Sequence, residues 1–260
     1  VQCKAATGKP LIRHVQDLLA AEGTAVAKSI DELRTHRDAV LSSADVLTTN
    51  TQFVVEQFKR FWDYDRAIVV GQPVQFDPDL DNFRTRQRRK VAVIVGRLSD
   101  PLKNTSLALR ALSLMKKPPD LAMVWVGKAK HKPRSWFRRF RIEHHIEIPA
   151  ADLAHLVKTS RMLLAPSLFE GLGLPPIEAL AVGTPAIVSD IPVKREVFAG
   201  TPMRFHKPDD PTDLARAIES LLANPESGWQ LIDAFSPKVP NYTVEGVASK
   251  IIAAYDSLKR

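Results

Sequence analysis

From residue 91 onward, short apolar runs alternate with amphipathic stretches of helical length. The apolar runs, such as "VAVIV" (91–95) and "MLLAP" (162–166), lack the polar alternation of half-exposed strands. Strands of this kind, each followed by a helix, are typical of a parallel sheet that is covered on both faces. The pattern therefore predicts one complete α/β domain with a doubly wound sheet over residues 91–242.

The first 71 residues predict only part of a second domain. Three strand-like runs, with helical patterns at 27–43 and 51–62 between them, are too few to close a core. The runs are "PLIRHV" (10–15), "DVLTT" (45–49) and "AIVVG" (67–71). We expect the C-terminal part of another α/β domain, then a polar interdomain linker at 72–90. An amphipathic helix is predicted at 243–260.

The composition of the chain limits the classes of protein to which it can belong and the kinds of partner it can bind. The longest apolar runs are far shorter than the roughly 18–20 residues that span a bilayer. One cysteine, Cys3, excludes an internal disulfide and suits a reducing cytoplasm. The net charge of +8 favours anionic partners. A solvated basic surface, phosphate-bearing substrates and peripheral contact with the inner face of an anionic membrane all fit this charge.

The stretch "PSLFEGLGLPPIEALAVGTPAIVSD" (166–190) carries the chemistry. Glu170 follows a buried strand, and ligands of open α/β sheets bind at the carboxyl ends of such strands. Two glycines allow close approach of a ligand, and the next helix begins with prolines and free amides that suit a phosphate. Glu178 lies in the first turn and can accept hydrogen bonds from two hydroxyls. A nucleoside diphosphate joined to a sugar has this order of parts.

This stretch resembles the signature of retaining GT-B glycosyltransferases of family 4, the glycosyl transferases group 1, in which seven residues separate two glutamates. The resemblance extends to five further stretches, although the N-terminal match is weaker. These are "VGRLSDPLKN" (95–104), "VWVGKAK" (124–130), "DDPTDLARAIESLL" (209–222), "SADVLTTNTQFVVEQF" (43–58) and "GKPLIRHVQD" (8–17). It implies GT-B architecture: a complete C-terminal Rossmann-like domain that binds the donor, and a partial N-terminal Rossmann-like domain. The final helix is then expected to cross back toward the N-terminal domain.

The resemblance also implies roles for individual residues. Arg97 and Lys103 would neutralise the leaving diphosphate in place of a divalent cation, so no metal or other cofactor is expected. Glu178 would bind the ribose and Glu170 the donor sugar. The implied donor site comprises Gly96, Arg97, Lys103, Ile148, Pro149, Glu170, Gly171, Leu172, Gly173, Leu174 and Glu178. Ile148 and Pro149 would border the base, although their segment lacks the glycine usual in the family.

The acceptor side is less well defined. The best match to a family histidine near the reacting sugar is Gln16, with His14 two residues earlier. The family's Gly-rich loop after its first strand is not in these residues, so a missing segment or a second chain would complete the N-terminal domain. We therefore do not expect this chain to be active by itself. A saccharide, a lipid-linked sugar or a small molecule would fit as acceptor.

Other motifs support different interpretations. "DPDLD" (77–81) imitates a metal motif but lies in the linker, and His144, His145 and His155 lack the spacing of a zinc site. The basic segment "RSWFRRFR" (134–141) is interpreted as a surface helix, with membrane contact second and nucleic-acid binding a distant third, so no nucleic-acid partner is expected. A GT-B nucleotide-sugar epimerase and a non-catalytic nucleotide-sugar-binding module remain as alternative functions.

Overall fold

The computed structural model describes residues 11–16, 30–42, 44–75, 77–126, 136–137 and 140–258. These residues form two compact units. The first contains the described residues up to Pro73, the loop Glu170–Leu172 and the residues from Pro240 to Leu258. The second contains Val74–Phe169 and Gly173–Val239.

The first unit is built on a parallel sheet of three strands in the order β1-β2-β3. Its elements are β1 (Ile12–His14), α1 (Ile30–Leu41), β2 (Val46–Thr49), α2 (Gln52–Trp62), β3 (Ile68–Val69) and the last helix, which is α9 in chain order (Val244–Ser257). Helix α2 begins at a threonine cap, where Thr51 Oγ1 accepts a hydrogen bond from Val54 N. Its buried residues Val54, Phe58 and Trp62 are spaced four apart and pack beside Leu47.

The second unit contains a sheet of seven strands in the order β10-β9-β8-β4-β5-β7-β6. All neighbouring strands are parallel except the β6–β7 pair. The strands are β4 (Val91–Gly96), β5 (Asp120–Trp125), β6 (Trp136–Phe137), β7 (Phe140–Ile146), β8 (Met162–Ala165), β9 (Ala186–Ser189) and β10 (Arg204–His206). The helices are α3 (Thr105–Leu114), α4 (Ala150–Thr159), α5 (Leu174–Ala181), α6 (Pro192–Val197), α7 (Pro211–Ala223) and α8 (Glu226–Phe235), with 3₁₀ helices at Pro101–Lys103 and Ser236–Tyr242.

Helices cover both faces of this sheet. On one face, Leu107 and Leu112 of α3 and Ile218 of α7 share a core with Ile94 of β4. On the other face, Val157 of α4 and Ala179 of α5 pack with Val93 of β4. Because successive residues of β4 are buried on opposite faces, its sequence is continuously apolar. The predicted doubly wound α/β class is confirmed.

The prediction of a surface helix around residues 134–141 is wrong. Phe140–Ile146 forms strand β7, which pairs in parallel with β5 and in antiparallel with the short β6. Phe140 and Ile142 are buried, and they alternate with Arg141 and Glu143. This period of two favours a strand, and the pairing with β5 outweighs the approximate helical spacing of the arginines. Two of those arginines, Arg134 and Arg138, lie outside the described residues.

The segment proposed as a linker packs onto the second unit from Val74 onward. The Arg88 guanidinium is central to this packing, because it donates to the carbonyl groups of Lys158, Ser160, Phe83 and Gly183 and to Thr184 Oγ1. Helix α8 and the second 3₁₀ helix were not predicted. In the described part of the chain, every helix is too short or too polar to cross a membrane.

Candidate functional site

The chain changes direction across the large sheet between β4 and β8. From β4 it proceeds to β5 and β7 on one side, and later to β8, β9 and β10 on the other. Ligands of open α/β sheets bind at the carboxyl ends of the strands at such a switch point. Arg97 and Lys103 follow β4, and the loop with the two glycines and two prolines (residues 170–176) follows β8. These donor-site residues predicted from the sequence therefore follow the two strands that flank this switch point.

The turn after β4 holds Lys103 beside the end of the strand. Gly96 has φ of +143°, a conformation that favours glycine. A Cβ on Gly96 would lie 3.6 Å from Lys103 Cε, so the lysine side chain lies against this backbone. Asp100 caps the following 3₁₀ helix by accepting a hydrogen bond from Leu102 N at 2.9 Å. Arg97 is exposed at the start of the same turn.

This turn is fixed to neighbouring loops by hydrogen bonds. Leu168 N, in the loop after β8, donates to Leu102 O at 2.8 Å. Asn104 Nδ2 donates to Pro208 O at 2.8 Å. Asn104 itself has φ of 47°, which allows the chain to enter α3 directly from the turn. The lysine-bearing turn and the loop after β8 are thus held together at the switch point.

Helix α5 begins with Gly173 as its N-terminal cap, at φ of +77°. Pro175 and Pro176 follow, and neither has an amide hydrogen to leave unsatisfied. Gly173 and Leu174 carry backbone amides at this helix start, where the dipole favours an anion.

Sequence reasoning missed Lys194 and its contact with this loop. The residue is completely buried, and its Nζ donates to Gly173 O at 3.2 Å. A signal for it exists in the sequence, because Lys194 lies three residues after Ile191 and three before Val197, on the apolar face of α6. A lysine on a buried helix face requires a specific partner, and here the partner includes the glycine that caps α5.

Glu178 is 4% exposed and lies beneath the segment that enters the second unit. Its Oε1 accepts a hydrogen bond from Gln75 N at 3.1 Å. Burial raises the pKa of the Glu178 carboxyl above its ordinary value of 4.5, and the hydrogen bond from Gln75 opposes this shift. The contact with Gln75 was also not predicted, since nothing in the local sequence pairs positions so far apart.

Ile148 and Pro149 connect β7 to α4. Pro149 occupies the cap position of α4, and Ile148 is partly buried against the core around β4. The preceding Glu147 has φ of +48°, a conformation that usually favours glycine. A glutamate therefore occupies this turn in a conformation that glycine adopts more readily.

Three predicted donor residues, Glu170, Gly171 and Leu172, belong to the first unit. Within that unit, Thr51 Oγ1 donates to Gly171 O at 2.9 Å. Thr51 also caps α2, so one hydroxyl serves both the helix and the loop. Gly171 and Leu172 are buried, and Glu170 is partly exposed.

His14 and Gln16 also lie in the first unit. His14 Nδ1 is 3.1 Å from Thr48 Oγ1, and its Nε2 is 3.1 Å from Asn50 Oδ1. Since the amide oxygen can only accept, Nε2 carries the proton. Desolvation lowers the pKa of His14 although the hydrogen bond with Asn50 opposes this, so the neutral ring is favoured. Gln16 O accepts a hydrogen bond from Asn50 Nδ2 at 3.4 Å.

The described residues contain no group of three or more His, Cys, Asp or Glu side chains that could hold a metal ion. In the "DPDLD" stretch, Asp79 pairs with Lys158 and Arg86. The hydrogen bond from Lys158 lowers the pKa of this carboxyl. Asp79 therefore ties the entering segment to α4.

Comparison with known families identifies the second unit. The sequence model described as "Glycosyl transferases group 1" matches residues 76–234. A curated relative, the MMP alpha-(1->4)-mannosyltransferase of Mycolicibacterium hassiacum, is 27% identical over 95% of this chain. The chain spans 59% of the length of that relative.

Solved structures show the same fold. Sucrose-phosphate synthase from Thermosynechococcus elongatus superposes with a TM-score of 0.77 at 19% identity, over 95% of this chain and 67% of that protein. HepE from Anabaena, in complex with UDP and glucose, also gives a TM-score of 0.77, at 17% identity over 98% of this chain and 74% of that protein. These likenesses confirm the GT-B fold class expected from the sequence.

Proposed function

Because the chain belongs to the glycosyl transferases group 1 family, we propose that it acts in the transfer of a sugar from a nucleoside-diphosphate sugar to an acceptor hydroxyl. The proposed transfer retains the configuration of the anomeric carbon and needs no metal ion. One observation carries this proposal: the turn that bears Lys103 is hydrogen-bonded to the loop after β8 at the switch point of the sheet.

The diphosphate would be bound by cations and amides. Lys103, which is positioned against Gly96, and the exposed Arg97 supply two positive charges after β4. The amides of Gly173 and Leu174 add donors at the start of α5. Fixed positive charges and donors stabilise the charge that develops on a leaving diphosphate, which is the task of a divalent cation in other transferases.

The hydroxyl groups of the donor would be bound by the two glutamates. Glu178 is buried and ionisable, and it would accept hydrogen bonds from the ribose. Glu170, three residues before Gly173 in the chain, would accept hydrogen bonds from the transferred sugar. Ile148 and Pro149, between β7 and α4, would border the base.

In the proposed reaction, the bond between the anomeric carbon and the diphosphate oxygen breaks and the electron pair leaves with the diphosphate. The acceptor oxygen forms the new bond on the same face, and its proton passes to the departing phosphate. No protein nucleophile is required in this scheme. Lys103 and Arg97 would act by stabilising the leaving group, and Glu170 by orienting the sugar.

The proposed sugar is a hexose, because the relative from Mycolicibacterium hassiacum is named as a mannosyltransferase and HepE binds UDP and glucose. A saccharide, a lipid-linked sugar or a small molecule would serve as acceptor. His14 and Gln16 are the candidates on the acceptor side, and the neutral His14 ring would offer an uncharged contact.

Calorimetry with UDP, GDP and ADP tests the donor site. We expect one nucleotide to bind, and we expect Lys103→Ala and Glu178→Ala each to weaken its binding roughly tenfold or more, since each loses a charged hydrogen bond. Lys90→Ala and Glu219→Ala are matched controls, because both side chains are exposed and lie away from the switch point. Failure of all three nucleotides to bind, or unchanged binding in both site variants, would overturn the assignment.

Turnover of the complete gene product then tests the reaction. We expect a product whose anomeric configuration, read by NMR, matches that of the donor, and a rate that EDTA does not change. An inverted product or a rate abolished by EDTA would contradict retention or metal independence. Nucleotide binding without any transfer would indicate a binding module.

A further inference from the structure

A cavity lined by arginines lies at the end of the large sheet opposite the candidate donor site. It has a volume of about 70 Å³ and is lined by Arg84, Arg86, Arg88, Arg161, Pro185 and Trp229, among other residues. Arg161 immediately precedes β8, and Pro185 immediately precedes β9. The cavity therefore lies at the amino ends of these strands, whereas Lys103 lies at the carboxyl end of β4.

The hydrogen-bond partners of these arginines do not balance their charge. Arg88 donates to four carbonyl groups and one hydroxyl, all of them neutral. Arg86 donates to Val182 O at 2.7 Å and to Asp81 O at 2.5 Å, and it shares the Asp79 carboxylate, 3.4 Å away, with Lys158.

The remaining two arginines differ from each other. Arg84 pairs with Asp233, and both side chains are about half exposed. None of the described residues accepts a hydrogen bond from the Arg161 guanidinium, so no described group competes with a ligand for its donors. Within the described part of the chain, the four cations at the cavity have one dedicated carboxylate and a share of a second.

The electrostatic consequence is visible at Arg88. Burial and the charges of Arg86 and Arg161 lower the pKa of Arg88 to about 10. Positive charges that are held together in this way repel one another, and an anion between them would remove the repulsion. Guanidinium groups present their donors in a planar fork that matches the oxygens of phosphate.

We propose that this cavity binds a phosphate group, either as free inorganic phosphate or as the phosphate monoester of a small sugar. Its volume of about 70 Å³ is several times the roughly 10–15 Å³ that one water molecule needs on the same measure, so the space suits one phosphate group. The ester carbon would lie toward Trp229 and Pro225, which form the apolar wall. The bound group would hold the segment 84–88 against the amino ends of β8 and β9.

The test measures phosphate binding to the full chain by thermal shift at constant ionic strength, with chloride as the balancing anion. Because the proposed donor site also attracts phosphate, all variants carry Lys103→Ala. We expect a saturable rise in melting temperature with inorganic phosphate. Arg161→Gln should weaken the apparent affinity about tenfold or more, because it removes a charged donor. Arg110→Gln, an exposed arginine on α3, is the matched control and should bind as the parent does.

Arg84→Gln provides a second variant should Arg161→Gln fold poorly, as judged by circular dichroism, and it should also weaken binding. Equal affinity in the parent and in the folded cavity variants, or no saturable rise in the parent, would overturn the proposal. A comparison of glucose 6-phosphate with inorganic phosphate shows whether the bound phosphate group is free or belongs to a sugar. Tighter, Arg161-dependent binding of the ester indicates a sugar phosphate, and equal binding of both ligands indicates free phosphate.

Discussion

The ionised carboxylate of Glu178 lowers the stability of the fold and at the same time serves the proposed contact with the ribose. Its carboxyl is buried beneath Gln75, and burial raises the pKa of the group. An acid with a raised pKa in the folded state binds its proton more tightly there than in the unfolded chain. The free energy of unfolding therefore falls as the pH rises from 4.5 through the raised value. At neutral pH the ionised group costs stability, and the proposed ribose contact is the reason to keep it ionisable.

We predict that Glu178→Gln stabilises the protein at neutral pH and weakens nucleotide binding. The glutamine oxygen can still accept from Gln75 N, so the variant removes the buried charge and keeps the contact. Urea unfolding should give a higher midpoint for the variant at pH 7, with the difference disappearing below pH 4.5. Nucleotide affinity should fall roughly tenfold. Glu219→Gln, at an exposed position, should change neither quantity; a destabilised Glu178→Gln would contradict the prediction.

Some residues of the site could be recognised in the sequence, and others could not. Glu178, Gly173 and Lys103 belong to local patterns that follow a buried strand, so the strand itself points to them. Lys194 has a helical position that indicates burial, but its partner Gly173 lies 21 residues away. Gln75 contributes only its backbone amide, which carries no information about residue type. Contacts made by backbone atoms across long separations are set by tertiary packing.

At the scale of elements, the strands of the large sheet were predictable because their residues are apolar on both faces. β4 and β8 are buried along most of their length. Strand β7 lies toward the edge and alternates, and the arginines and aromatic residues of the segment 134–141, which overlaps its start, approximate helical spacing. A short segment that fits two periods is decided by its neighbour, here β5, rather than by its own pattern. The segment 72–90 was predicted from its polarity as a linker, yet Arg86 and Arg88 within it donate hydrogen bonds to carbonyl groups of the second unit.

We predict that Arg88 is the principal attachment of this segment. Arg88→Ala leaves four carbonyl groups and the Thr184 hydroxyl without the guanidinium that donates to them. The smaller side chain also leaves a void where the arginine packed. We expect a loss of about 3 kcal/mol or more in the free energy of unfolding, measured in urea without phosphate.

The neighbouring arginine is a matched control for this change. Arg89 pairs with Glu143 at 2.6 Å, but its side chain is 43% exposed. Arg89→Ala should therefore cost about 1 kcal/mol or less, since exposed ion pairs contribute little. Similar losses for the two variants would show that the segment is not fixed through Arg88.

At the scale of the whole molecule, the sequence predicted a division into a complete and a partial α/β domain, and the structure divides into two compact units. The division is not collinear with the chain, since the loop Glu170–Leu172 and the residues from Pro240 to Leu258 belong to the first unit. Composition and periodicity report on local structure, so the assignment of a three-residue loop to one unit or the other is beyond them. The proposed nucleotide contacts lie in the second unit, apart from those of the Glu170 loop.

This placement gives a prediction for hydrogen exchange. A nucleotide at 100 times its dissociation constant stabilises the state that binds it by about 2.7 kcal/mol. Amides of β4 and β8 that exchange through unfolding of the second unit should therefore exchange roughly 100-fold more slowly in its presence. The slowing should shrink to roughly tenfold or less in Lys103→Ala at the same nucleotide concentration, because a tenfold weaker affinity leaves the nucleotide at about 10 times the variant's dissociation constant. Mass spectrometry of peptides covering 91–96 and 162–165 measures the exchange directly. Exchange in these strands is compared under conditions where calorimetry shows saturation. If it is unchanged there, the second unit does not bind the nucleotide. The donor site proposed at the switch point of its sheet would then be wrong.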